Sequence, residues 1–145
     1  MSGLCRTGAI SGERGSATLE LVVLAPVLLA FIALIVLVGK VANAYGAVES
    51  AARDAARQAS IARDPAQARQ AATASAAAVL RREGLRCGPS VSVDTSGFSR
   101  RIGTAAQVTA RVSCVVPLGD LLPGLPGSKA VRASFTSPID PFRGA

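Results

Sequence analysis

The stretch Arg14–Lys40, RGSATLELVVLAPVLLAFIALIVLVGK, decides the architecture, because from Leu21 to Val38 it carries no charged side chain. As a helix rising 1.5 Å per residue this run covers about 27 Å, close to the roughly 30 Å hydrocarbon core of a bilayer. Pro26 is compatible with such a helix, since neighbouring groups re-satisfy the freed carbonyl. Glu20 is the exception, a carboxylate at the lip of a span, where an ionised group needs either solvent or a partner.

Three readings of this stretch compete. A signal anchor that stays attached explains the hydropathy and is silent on Glu20. A secretory signal peptide finds an A-x-A site in Ala42-Asn43-Ala44 before Tyr45, but the apolar run exceeds the roughly 7 to 15 residues of a signal core and Lys40 interrupts the approach. The third takes Gly15 and Glu20 together: a glycine, four residues and a glutamate before an apolar helix match the type IV prepilin processing pattern.

On these residues Arg14 to about Arg57 resembles the TadE-like minor pilins, or pseudopilins, of the tight adherence (Flp) pilus machinery, and the C-terminal third resembles them loosely through its "SPID" ending. The resemblance implies that a membrane prepilin peptidase cuts between Gly15 and Ser16 on the cytoplasmic side, leaving Glu20 as the fifth residue of the mature chain. It implies as partners the membrane, other pilin and pseudopilin subunits and, indirectly, the assembly platform and its ATPase. Ser16 and Leu21 stand where many type IV and major Flp pilins, respectively, carry an aromatic, so a minor subunit fits better than the main one.

A physical reason for the pattern can be given without the family. Cleavage creates an ammonium at Ser16, and Glu20 can neutralise it on the same helix turn or on a neighbouring subunit, which favours assembly over an isolated ion in low dielectric. The bland alternative is a headgroup-solvated Glu20 near the positive end of the helix dipole. Arg6 and Arg14 precede the span while Lys40, Arg53 and Arg57 follow it, so flanking charge barely orients it. The processing pattern and the cysteines place the N-terminus in the cytoplasm and the C-terminal domain outside.

The 145 residues carry a formal charge of +7, but the arginines are scattered and aromatics scarce, so nucleic acid is not an expected partner. Without histidine, Ser-His-Asp, Cys-His and His-containing metal sites are excluded. The carboxylates stand singly among arginines, so no catalytic residues, metal or cofactor are expected and the chain does not read as an enzyme.

Beyond Lys40, the residues Val41, Ala44, Tyr45, Val48, Ala51, Ala52, Ala55 and Ala59 repeat at helical spacing, with Asn43, Ser50, Asp54 and Arg57 opposite. The pattern predicts that the membrane helix continues to about Arg63. Asp64-Pro65-Ala66-Gln67 then reads as N-cap, Pro at N1 and a capping-box glutamine, starting a second helix that stops at Gly84 with Leu85 as its closing contact. Whether the two helices fold back on each other or stay collinear is open at this level, and the alanine stripe serves equally as core or as a surface for neighbouring subunits.

Ala106 to Val116 alternates, with Val108, Ala110, Val112, Cys114 and Val116 on one face, and predicts a half-buried strand. Val91 and Val93 mark a shorter strand before it, and Val131, Ala133 and Phe135 a third after it. If Cys87 lies opposite Cys114, then Val91 faces Ala110 and Val93 faces Val108, and all apolar side chains share one face. A Cys87–Cys114 disulfide is therefore expected, in an oxidising compartment. Cys5 would stay unpaired in the leader. The final FTSPIDPFRGA, with two X-Pro steps, reads as extended and peripheral.

The expected fold is α+β: a long N-terminal transmembrane helix extended by an alanine-rich helix, a second helix, then a small three-stranded antiparallel sheet. The expected divisions are a leader over 1–15, a span over 16–39, a helical region over 40–84 and a disulfide-pinned sheet with its tail over 85–145. The competing class is an uncleaved single-pass envelope protein whose outer domain binds a partner.

Overall fold

In the computed structural model, which describes residues 14–121 and 123–141, helix α1 spans Arg14–Ser60. Most of the expected leader, with Cys5, lies outside the described residues, as does the end of the tail from 142 to 145. The chain divides into two units, Met1–Val36 and Leu37–Ala145.

In the first unit the described large apolar side chains are exposed. Leu21, Val23 and Leu29 are each exposed by about two thirds (68%, 66% and 66%). Among the described residues this helix is long and apolar enough to cross a membrane.

The second unit has its own core. Val48, Ala51, Ala52, Ala55, Ala56 and Ala59 of α1 are fully buried against Ala68, Ala72 and Ala76 of helix α2 (Pro65–Arg82). The side chain of Ser75 donates to Asp54 at 2.7 Å. These two residues lie nearly equidistant from the turn around Asp64, so α2 folds back on α1 as an antiparallel hairpin. Alanine on both helices lets the backbones approach closely. Tyr45, expected on the inner face, is 44% exposed, because a ring is too large for an alanine seam.

Helix ends follow their local chemistry. Asp64 Oδ1 accepts from the Gln67 N–H at 2.8 Å, a side-chain N-cap, and Gln67 Oε1 accepts from the Arg63 N–H rather than from Asp64 itself. At the other end Leu85 N–H bonds to Leu80 C=O and Gly84 N–H to Arg81 C=O, with Gly84 at φ +77. That is a Schellman stop, which needs a left-handed residue and finds glycine. Helix α1 ends at Ser60, three residues before the expected Arg63, where the Ser60 hydroxyl donates to the Arg57 carbonyl.

The sheet consists of β1 (Ser90–Asp94), β2 (Ala106–Pro117) and β3 (Ser128–Ile139), antiparallel in that order. Its inner face carries Val108, Ala110, Val112, Cys114 and Val116, all buried, with Val131 and Ile139 from β3. A short helix α3 (Leu118–Leu121) opens the β2–β3 connection.

Two expectations are corrected. The register of β1 on β2 pairs Val91 with Val112 and Val93 with Ala110, two residues from the expected pairing with Ala110 and Val108. A two-residue shift keeps every side chain on its face, so the alternating pattern cannot distinguish the two registers. Cys87, whose position opposite Cys114 defines the expected register, lies outside β1, beyond Gly88-Pro89, and so does not set the ladder. A tighter restraint is Gly97, in a 3-10 turn over Ser96–Ser99, where a Cβ would collide with the carbonyl of Gln107. The second correction concerns the tail. Phe135 to Ile139 belong to β3 and pair with Ala110 to Ala106, so this part is a strand and not a peripheral extension. Pro138 is tolerated because β3 is an edge strand.

Candidate functional site

The residues singled out by the sequence fall at two places. Gly15 and Ser16 lie on α1, and Glu20 follows on the same helix with its side chain exposed. Positions 16 and 20 are one turn apart on a helix, about 6 Å along its axis, and helical side chains lean toward the N-terminus. An extended Glu20 side chain can therefore reach back toward the turn that holds Ser16.

The second place is Cys87 and Cys114, which the structure brings together as a disulfide with their Cα atoms 5.8 Å apart. Cys114 is buried on β2, and Cys87 lies in the connection from α2 to β1. The bridge ties the end of the helical hairpin to the central strand.

Other groups were not singled out by sequence reasoning. Lys40 donates from Nζ to the backbone carbonyl of Asp120 at 3.5 Å, linking α1 to the β2–β3 connection across 80 residues. Its partner is a main-chain atom, which no side-chain pattern announces. Arg53 pairs with Glu49 one turn before it and lies over the ring of Phe135, 5.6 Å from its centroid. The solvent face of the sheet places Arg111 opposite Ser92 and Ser134, and Arg132 opposite Ser113. The strand alternation does carry that signal, in the residues facing away from the valines.

Hydrogen bonds from the backbone and then the side chain of Ser96 hold the Asp94 carboxyl below the ordinary value of 3.8, with Arg111 adding to them and desolvation opposing. Among the described residues no group of three or more His, Cys, Asp or Glu is placed to hold a metal ion.

An apolar N-terminal helix of membrane-crossing length, continued into an alanine-packed α+β unit, defines a chain built for membrane anchoring with a small folded domain beyond the anchor. Residues 15–57 match the family model described as TadE-like protein, beginning at Gly15 and taking in Glu20, the apolar run and the alanine stripe as far as Arg57. The match covers under a third of the chain and stops within α1, and it supports involvement in the tight adherence pilus system. No curated protein and no solved structure matches the chain.

Proposed function

We propose that the chain is a minor pilin-like subunit that supports assembly of a tight adherence pilus or a related secretion system. In this role prepilin peptidase cuts between Gly15 and Ser16, α1 holds the subunit in the membrane until assembly, and the unit from Leu37 onward lies outside the cytoplasm. The observation that carries the reading is the TadE-like match over residues 15–57, which starts on the glycine of the processing pattern. Two features support it. Ala44 is buried, and Leu37 and Val41 pack against the core, so removal of everything before Tyr45 as a signal peptide would cut into packed structure. The Cys87–Cys114 bridge suits an oxidising exterior.

Partners in this role are the peptidase, other pilin and pseudopilin subunits and, through them, the platform and ATPase. The subunit needs no catalytic residue of its own. Intact-mass measurement of membrane-extracted protein tests the reading. A mature chain beginning at Ser16 is expected; one beginning at Met1 sinks the pilin role in favour of an uncleaved envelope protein, and one beginning at Tyr45 identifies a signal peptide.

A further inference from the structure

We propose that the β2–β3 connection is a membrane-contact surface: it rests on the phospholipid layer that α1 enters, with Leu125 in the interfacial zone and Lys40 among the headgroups. The inference rests on the membrane-anchor reading of α1.

The argument starts from the chain. Val38 ends the apolar run, and Lys40 follows two residues later, no more than about 7 Å away in any conformation. Lys40 therefore lies at headgroup depth if the run spans the bilayer. Lys40 in turn bonds to the carbonyl of Asp120, at the start of the β2–β3 connection. This connection is held to the folded unit at its neck, where the Leu118 N–H donates to the Gly127 carbonyl at 2.9 Å. Whatever lies next to Lys40 lies next to the membrane.

The composition of the connection suits that position. Leu121 points into the core and is buried, whereas Leu125 is 38% exposed and Pro123 and Pro126 beside it are exposed too. Lys129 stands exposed just past the loop. A cleft of about 190 Å³ opens at the start of the connection between Lys40, Asn43, Glu83, Arg86 and Asp120, offering both cations and carboxylates. Such a mixed lining suits a phosphate with an attached amine, the chemistry of a zwitterionic headgroup, better than a single-charge ligand.

A second exposed apolar residue provides the contrast. Ile102 is 72% exposed between Arg100 and Arg101 on one side and Gly103 on the other, and by composition alone it competes for the same role. It belongs to the β1–β2 connection, at the opposite end of the sheet. The length of β2 separates the two loops by roughly 37 Å at 3.4 Å per residue. Only one of them can be the membrane-facing end.

The chain contains no tryptophan, so a single introduced indole reports from one place. Full-length protein carrying Phe31→Trp, Leu125→Trp, Pro123→Trp or Ile102→Trp is reconstituted in bilayers of brominated phosphatidylcholine with phosphatidylglycerol. Phe31→Trp should be strongly quenched. The two loop variants should lose roughly half of their emission and shift to the blue relative to detergent, as for aromatic rings at headgroup level. Ile102→Trp should be unquenched by lipid and open to acrylamide. If Phe31→Trp escapes quenching, the anchor reading fails and the proposal falls with it. Quenching of Phe31→Trp without quenching at position 125 or 123, or quenching at 102 instead, overturns the contact surface alone. Pro123→Trp reads the same surface independently should the substitution at Leu125 disturb the fold.

Discussion

The two halves of α1 invert the usual relation between size and burial. From Leu21 to Val38 the helix carries large aliphatic side chains, most of them half to two-thirds exposed, while from Ala44 to Ala59 every buried side chain except Val48 is an alanine. Burial in this chain is therefore decided by which partner is present, not by hydrophobicity. The alanines have α2 and the sheet to pack on. Most of the leucines and valines before them are exposed among the described residues, and a bilayer or a neighbouring subunit is the environment that suits them. Small side chains gain little area each, but they allow two helices and a sheet to approach, and the sum over the seam makes a core.

That contrast can be broken in a definite order. The largest effect is expected at Glu20, in the exposed half, and rests on the proposed pilin role: Glu20→Ala should abolish or severely reduce surface fibres while membrane insertion and the thermal midpoint of the C-terminal unit stay unchanged. Fibres at the normal level would remove the case for pairing with the Ser16 ammonium. Next comes the bridge of the buried half. Cys87→Ser with Cys114→Ser should lower the stability of that unit by about 3 to 4 kcal/mol, the loop-closure value for a bridge of this span. Chemical denaturation with and without reductant measures it.

A sharper comparison sets one substitution in each half side by side. Ala55→Leu overfills a fully buried position and should cost about 1 to 3 kcal/mol, whereas Leu28→Ala, in the exposed half, should leave the same transition where it is. Equal shifts for the two would mean that the halves are not energetically distinct. Asp64→Ala removes the cap of α2 and should cost about 1 kcal/mol by the same measurement.

The smallest effect is electrostatic. The Asp94 carboxyl is held below its ordinary 3.8 by Ser96, so the folded state favours its ionised form. Its contribution to stability is fully present above pH 3.8 and is lost as the pH falls through the lower folded value. Asp94→Asn should be slightly less stable than the parent at neutral pH, and the difference should vanish in acid. A difference that grows on acidification would contradict the assignment.

Much of the fold is legible in the sequence where a local rule acts alone. The cap at Asp64, the glycine stop at Gly84 and the alternation along β2 each depend on a few adjacent residues, and the structure has all three. The register of β1 is different. Parity comes from the alternation of apolar side chains, but the choice between registers two residues apart depends on the turn at Gly97 and on a disulfide whose first cysteine lies off the ladder. The extension of β3 through Pro138 was hidden for a related reason. Proline reads as a strand breaker, and only the position of β3 at the sheet edge makes its missing N–H harmless.

At the candidate site the division is the same. Gly15, Ser16 and Glu20 are set by spacing along one helix, so the sequence by itself places the carboxylate one turn from the bond in question. The apolar run likewise announces its length and its need for an apolar surrounding. The return of α2 onto α1 and the contact of Lys40 with the Asp120 carbonyl were decided by the tertiary structure alone. An alanine stripe is compatible with any close partner, and a backbone carbonyl has no residue-type signature, so both depend on where the rest of the chain packs.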